Sequence, residues 1–173
     1  MKNSPNPSDK NLAQDSAVAK IHELATSIRV CLFGTSEGHV PLEFRPMSVQ
    51  HVDAVGNVWF LSARSSSQNS QISRHPQVQL LFANPGKSEY LSLLGRAFIS
   101  DSPALREKYW SPLAEAWFTK GVNDPELTVI RVQPDHGHYW DTEYGKTITL
   151  LQVAVGALTG KPSGAGVSGE VWP

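Results

Sequence analysis

The amino-acid sequence predicts a mainly β protein, an antiparallel barrel with helices at its periphery. Roughly seven strand-like segments, rich in β-branched and aromatic residues, follow one another and are joined mainly by hairpin-type turns. Helical patterns occur only near the start of the chain and in two insertions. No glycine-rich phosphate-binding fingerprint stands between a strand and a helix, which argues against a doubly wound parallel sheet.

Each element follows from a local pattern of apolar and turn residues. Apolar residues recur at helical spacing after Asp15 or Ser16, Pro76 ends a second helix, and Pro103 suits the first turn of a third. The predicted helices are 15–27, 66–74, 102–110 and 112–117. The predicted extended segments are 28–33, 41–49, 51–54, 58–62, 77–82, 90–100, 127–133 and 138–142.

The length of 173 residues suits one compact domain. We predict that this domain spans 16–160, after a disordered arm at 1–15 and before an irregular tail at 161–173. The apolar run 148–158 satisfies strand and helix templates alike, and we assign it to a short helix.

Composition excludes several classes of function. The chain carries 15 Lys and Arg against 16 Asp and Glu, without a basic stripe, so we expect no nucleic-acid partner. Residues 1–15 lack the apolar core of a signal peptide or anchor, and we expect a cytoplasmic protein that does not bind membranes. The single cysteine, Cys31, lies in an apolar run and is predicted to be a buried thiol rather than a reactive one.

A polar set on neighbouring elements indicates a binding site. Arg45-Pro46-Met47 supplies a cation, Trp59 to Ser62 a strand ending in a hydroxyl, and Ser65 to Gln68 hydroxyls and an amide at a helix start. This is the chemistry that holds a phosphorylated flat cofactor. Two simpler interpretations stay open: Arg45 forms a surface ion pair with Glu43 or Asp53, and the serines only cap the helix.

Metal and hydrolytic sites have no such support. His136 and His138 lie two residues apart with Asp135 and Asp141 nearby, but a zinc site needs three or four convergent ligands, and no spaced motif supplies them. We therefore expect no metal. No serine stands in a nucleophile elbow, so hydrolysis is not indicated.

An ordered series of short motifs resembles a known family. The motifs are Arg45-Pro46-Met47, Trp59-Phe60, Ile72-Ser73-Arg74-His75-Pro76, Gly95-Arg96-Ala97, Tyr109-Trp110-Ser111-Pro112-Leu113, Trp117-Phe118 and Tyr139-Trp140. Over residues 17 to 160 the chain resembles the general stress protein branch of the pyridoxamine 5'-phosphate oxidase-like family. The resemblance implies an FMN-binding split β-barrel of Greek-key type. It also implies a homodimer with two flavins in clefts between the subunits.

The resemblance also implies a set of cofactor-binding residues. These are Arg45, Pro46, Met47, Ser62, Ala63, Ser66, Ser67, Gln68, Trp110 and Trp140, with Trp117 and Phe118 joining the two tryptophans from the partner subunit. Many relatives carry a lysine where this chain has Gln68, and that difference removes a positive charge facing the phosphate. Arg64, Arg45 and the helix N-terminus are the groups that would compensate.

The function implied by the resemblance leaves alternatives open. One is an FMN-dependent oxidoreductase acting on an unknown small molecule. Another is a non-catalytic flavin-binding stress protein that serves as a store, sensor or interaction module. Related branches bind haem or a deazaflavin, and a barrel that has lost its ligand is a further alternative. Pyridoxamine 5'-phosphate oxidase activity is not expected, because the tail after Thr159 offers only Lys161 as a cation.

Overall fold

The computed structural model describes residues 10–141 and 167–173. The apolar run 148–158, predicted to be a short helix, lies outside the described residues. The helices are α1 (Asp15–Ile28), α2 (Ser67–Arg74) and α3 (Pro103–Tyr109), with 3-10 turns at Pro112–Ala116 and Gly121–Asn123. The strands are β1 (Leu12–Ala13), β2 (Val30–Thr35), β3 (Glu43–Ser48), β4 (His51–Val52), β5 (Val58–Ala63), β6 (Gln77–Asn84), β7 (Glu89–Ser100), β8 (Leu127–Asp141) and β9 (Val167–Trp172).

The strands form one sheet, and the mainly β prediction is confirmed. Hydrogen bonding runs in the order β1-β9-β8-β7-β6-β2-β3, while β5 pairs with both β8 and β4. Every described pair is antiparallel except β1 with β9. The hydrogen bonding of the described strands does not close the sheet, because β3 and β5 come near each other without pairing.

The core lies between the inner face of this sheet and α1. Side chains alternate between buried and partly exposed along β5 and β6, as expected for strands that bury one face. Phe33 and Phe60 are fully buried and meet edge to face with ring centroids 5.2 Å apart. Ile21 and Leu24 bury the apolar side of α1 against them in the same cluster.

β8 is one continuous strand of 15 residues, where the sequence predicted two strands at 127–133 and 138–142. Pro134 lies in the segment between the two predicted strands, and the sheet accommodates the irregularity there as a register shift between Leu94 and Gly95 of β7. A Cβ atom on Gly95 would lie 2.3 Å from the carbonyl oxygen of Gln133. Glycine at this position therefore lets the two backbones approach.

Both ends of the chain correct the sequence prediction. Residues 161–173 were expected to be irregular, but Val167–Trp172 forms β9 between β8 and β1. Residues 1–15 were expected to be disordered, but Leu12–Ala13 forms β1, and the Tyr139 hydroxyl donates to the Lys10 carbonyl over 2.8 Å. Pairing between strands that are far apart in the sequence satisfies the backbone N–H and C=O groups of both segments. No local sequence pattern predicts such pairing.

The remaining helices agree with prediction in position. α2 covers the predicted segment 66–74 apart from its cap, and the segment predicted as a helix at 112–117 is a 3-10 turn. No helix in the described part of the chain is long and apolar enough to cross a membrane.

Candidate functional site

The guanidinium of Arg45 stands at the centre of a polar cluster where β2, β3 and α2 meet. Its Nη1 atom donates to Thr35 Oγ1 over 2.7 Å. Its Nη2 atom lies 2.6 Å from Glu43 Oε2, 3.1 Å from Ser67 Oγ and 3.2 Å from Gln71 Oε1. We call these five residues the Arg45 cluster. The Arg45 side chain is 25% exposed, so the cation remains accessible from solvent.

Local spacing builds this cluster. Glu43 and Arg45 are two apart on β3 and share a strand face, and Ser67 and Gln71 are four apart on α2 and share a helix face. Thr35 is the register partner of Glu43 across β2 and β3. Thr35 and Gln71 are buried, and the Thr35 hydroxyl donates to Gln71 Oε1. The cation is thus oriented by groups that have little freedom to move.

The carboxylate of Glu43 belongs to the cluster as a charged member. Gln71 Nε2 donates to Glu43 Oε2 over 3.0 Å. This hydrogen bond is the largest influence on the Glu43 pKa, and with the Arg45 charge it holds the pKa below its ordinary value. The proposed ion pair of Arg45 with Glu43 is present. The alternative partner, Asp53, instead accepts hydrogen bonds from Asn57 and from Trp59 Nε1.

Ser66 caps α2, while Ser67 reaches the cation. Ser66 Oγ accepts from the amide of Asn69 over 3.1 Å, and the hydroxyls of Ser62 and Ser66 lie 3.3 Å apart. Ser67 Oγ instead accepts from Arg45, so the capping interpretation holds for Ser66 alone. The first amides of any helix have no acceptor within it, and in α2 the Ser66 hydroxyl supplies one to Asn69.

Gln68 occupies the first turn of α2 and is buried, with 3% of its surface exposed. Its Nε2 atom is among the few buried side-chain atoms of the described residues that have no hydrogen-bond partner. Most buried amides in folded proteins are satisfied, so this group has an unused donor. Gln68 follows Ser67 directly in the sequence, in the same helix turn.

Other predicted residues on the same strands are placed differently. Strand alternation puts Pro46 on the face opposite to Arg45, while Met47 packs against the core. Ala63 packs with Ala114 and Phe118. Arg64 points elsewhere, since its Nη2 lies 3.2 Å from Asp101 Oδ2 and its Nε donates to the Pro125 carbonyl. Arg64 therefore adds no contact to the Arg45 cluster.

The aromatic residues separate into buried and exposed ones. Phe118 is buried in its own chain, which corrects the prediction that it covers a ligand of the partner subunit. Trp110 is half-buried against the same small cluster, whereas Trp117 is 76% exposed. Trp59 stacks on Tyr109 with ring centroids 4.4 Å apart.

Trp140 is 45% exposed on the outer face of β8, and three strands separate β8 from β3 in the sheet order. It borders a shallow apolar groove with a volume of about 540 Å³. The groove is lined by Val30, Cys31, Leu32, Leu81, Phe82, Ala83, Tyr90, Leu91, Ser92 and Trp140. Within one chain, Trp140 and the Arg45 cluster are thus separate features.

Sequence reasoning missed two members of the Arg45 cluster, Thr35 and Gln71. Gln71 could have been found from its spacing of four residues after Ser67, which places both on one helix face. Thr35 could be found only through the register of β2 and β3. In the described ranges no group of three or more His, Cys, Asp or Glu residues could hold a metal ion. His136 stacks on Trp172, and His138 contacts the Trp140 ring.

Sequence comparison matches this chain to a family. A family model described as pyridoxamine 5'-phosphate oxidase like matches residues 16–163. The chain is 27% identical to general stress protein 26 of Bacillus subtilis (strain 168) over 77 residues. That alignment covers 43% of this chain and 54% of the relative, about half its length.

Structural comparison agrees with the observed sheet. A crystal structure assigned as general stress protein 26 from Jannaschia sp. CCS1 has a TM-score of 0.72 at 24% identity, covering 91% of this chain and 95% of that chain. The general stress FMN/FAD binding protein from Xanthomonas citri has a TM-score of 0.62 at 25% identity, covering 70% of this chain and 86% of that chain.

Proposed function

The chain belongs to the pyridoxamine 5'-phosphate oxidase-like family, and on that premise we propose that it is a flavin-binding protein whose cofactor is FMN. Solved structures of similar fold include one named as an FMN/FAD binding protein, which supports a flavin as the ligand class. The choice of FMN rests on a cation and hydroxyls that suit a terminal phosphate.

The single observation that carries this proposal is the approach of the Arg45 guanidinium to Ser67 in the first turn of α2, over 3.1 Å. An arginine presents paired N–H donors to phosphate oxygens, and a helix N-terminus adds amides and a favourable dipole. These groups come from two elements, β3 and α2. Arg45 and Ser67 would hold the phosphate, with Ser66 keeping the helix start in place.

The residues present fit a phosphorylated ligand. The guanidinium is part-exposed, so it can reach a ligand, and Thr35 and Gln71 orient it from the buried side. Gln68, in the same helix turn, has a buried Nε2 without a partner, and we propose that a change of its rotamer would let it donate to the ligand. A neutral amide gives a phosphate less attraction than a lysine would, but it still donates a hydrogen bond.

When bound, a flavin supplies hydride or single-electron transfer, and we propose an oxidoreductase reaction on a small molecule. The chain's own part is to bind and orient: Arg45 and Ser67 hold the charged end, and strand residues hold the rest. Met47 is packed against the core and would support the site from below, whereas Pro46 faces the outer side of β3.

We further propose that the protein is a homodimer with the fold of a split barrel, divided between β3 and β5. The outer sheet face exposes Val30 by 49%, Leu32 by 47% and Trp140 by 45%, and these side chains border one apolar groove. Apolar side chains that line one groove on a sheet face are a candidate contact surface for a partner. A second copy would cover it, and Trp110, Trp117 and Trp140 of each subunit would then lie near the partner's cleft.

The proposal is tested by titrating the purified protein with FMN and following flavin and tryptophan fluorescence. We expect saturation at one FMN per chain, and Arg45→Ala should weaken binding by about tenfold to a hundredfold, because charge-assisted hydrogen bonds to phosphate are lost. Arg74→Ala is the matched control, since Arg74 lies at the other end of α2 and pairs with Glu37. Equal affinity of Arg45→Ala and the wild type would disprove this placement of the phosphate.

A further inference from the structure

Glu43 is the one acidic side chain within the Arg45 cluster, and it competes for the atom that a phosphate needs. Arg45 Nη2 carries two hydrogens, yet three acceptors lie within 3.2 Å of it: Glu43 Oε2, Ser67 Oγ and Gln71 Oε1. The carboxylate is the nearest of the three, at 2.6 Å, and the only charged one. Without a ligand, the strongest partner of this donor is therefore Glu43.

The formal charges within the Arg45 cluster sum to zero. Arg45 contributes one positive charge and Glu43 one negative charge, while Thr35, Ser67 and Gln71 are neutral. The neighbouring Gln68 is neutral as well. An incoming phosphate of about minus two meets a site whose own charges cancel, and a carboxylate at close range repels it. A ligand that carries an uncharged hydroxyl in place of the phosphate would meet no such repulsion.

The position of Glu43 in the fold allows its carboxylate to move away from Arg45. It is the first residue of the edge strand β3, and its side chain is 59% exposed, so the carboxylate can swing into solvent when a ligand arrives. The partners of Arg45 on the other side, Thr35 and Gln71, are buried and stay in place. On ligand binding, the phosphate would then replace the Glu43 carboxylate as the partner of Arg45, whose guanidinium stays in place.

From this geometry we infer that Glu43 is a resident anion that determines how strongly the site prefers a phosphorylated flavin over an unphosphorylated one. The inference rests on the proposed function, since it concerns the same cleft. Glu43 lowers the affinity for FMN but leaves the affinity for riboflavin nearly unchanged. Glu43 therefore narrows the preference of the site for FMN over riboflavin.

The experiment compares FMN with riboflavin as probes, on the full chain and on Glu43→Gln. Glutamine has the same shape and can still accept from Arg45, so the change removes the charge and keeps the contact. We expect Glu43→Gln to tighten FMN binding by about tenfold, because a salt bridge no longer has to break and a repulsion is gone. Riboflavin affinity should change by less than about twofold, since riboflavin carries no phosphate charge.

Glu37→Gln is the matched control. Glu37 forms the corresponding exposed ion pair with Arg74, 2.7 Å long, at the far end of α2. The Glu37→Gln variant loses the same charge, but outside the Arg45 cluster. It should therefore leave the ratio of the FMN affinity to the riboflavin affinity unchanged. Thermal unfolding of both variants checks that they are folded.

Each other outcome has a distinct meaning. If wild-type protein binds FMN and Glu43→Gln binds it no more tightly, the inference is wrong while the proposed function stands. If Glu43→Gln tightens FMN and riboflavin equally, the charge does not act on the phosphate and the inference is again wrong. If neither flavin binds any of the proteins, the proposed function fails, and the inference fails with it.

Discussion

The two faces of β2 differ in polarity and in what covers their side chains. At its end, on the inner side, Thr35 completes the Arg45 cluster, where every polar partner comes from the same chain within two adjacent strands and one helix. On the outer side, Val30 and Leu32 are about half exposed and border an apolar groove. The polar side is satisfied within one chain, whereas the apolar side stays open and is the face that we propose a second copy covers.

The difference follows from the chemistry of the groups. A buried hydroxyl or amide without a partner is costly, so the inner polar groups must be satisfied as the chain folds. An exposed leucine costs far less, since it only stays in water until something covers it. Cys31 lies between Val30 and Leu32 but points inward, and it is 1% exposed. The protection of Cys31 from a thiol reagent can therefore show whether β2 remains folded when a residue on either face is substituted.

The largest effect concerns this thiol. Burial raises the pKa of Cys31 to about 12, against 9.0 for a free group, so at pH 8 the reactive thiolate should be about a thousandfold scarcer than in an unfolded chain. We expect Cys31 in the folded protein to resist a thiol reagent at pH 8 and to react quickly in denaturant. Rapid modification under native conditions would show that β2 opens readily.

The outer face is altered by Leu32→Lys, which places a charge in the apolar groove. In the proposed dimer, twofold symmetry would place the substitution in the interface twice, so we expect the dimer dissociation constant to rise by at least about a hundredfold. Light scattering over a concentration series measures the change, and Val55→Lys in the exposed β4–β5 turn serves as the control. Unchanged protection of Cys31 would show that dissociation, rather than unfolding, has occurred. A variant as dimeric as the wild type would remove this face from the interface.

The inner side is altered by Thr35→Val, which keeps the shape and removes a buried hydroxyl. Arg45 and Gln71 then lose a partner, and we expect the free energy of unfolding to fall by about 1–3 kcal/mol. Urea denaturation measures this change. Thr26→Val, on the exposed side of α1, should alter stability far less. A stability equal to that of the wild type would mean that water replaces the lost hydroxyl.

The smallest effect is a pH dependence from Glu43. Its pKa in the folded protein is lowered from 4.5, chiefly by the hydrogen bond from Gln71, so the unfolded state binds the proton more tightly. Its contribution is therefore present above about pH 4.5 and is lost as the pH falls through the lower folded value. The stability of the wild type relative to Glu43→Gln should decline over that acidic range. A difference that stays constant with pH would assign the effect to packing instead.

The amount that could be predicted from the sequence differs between these regions. Arg45, Ser67 and the start of α2 were recognisable because a cation, a run of hydroxyls and a proline that ends the helix are all visible in the local sequence. Thr35 was not recognisable as a member of the cluster, because it joins through strand register. Phe118 was misassigned for a similar reason: only the fold shows that it packs on Ala114 and Leu127.

The sequence by itself determined the class of the fold, most strand and helix positions, and the family, since these depend on local periodicity, turn residues and ordered motifs. The tertiary structure alone decided that both chain ends join the sheet as β1 and β9, and that β8 is unbroken. It also decided that Glu43 rather than Asp53 pairs with Arg45, and that Gln68 is buried with an unpaired donor. The pairing of β1, β8 and β9 joins segments that lie far apart in the sequence, and a local pattern carries no record of a distant partner. The burial of Gln68 and the choice of partner for Arg45 depend likewise on the elements packed around them.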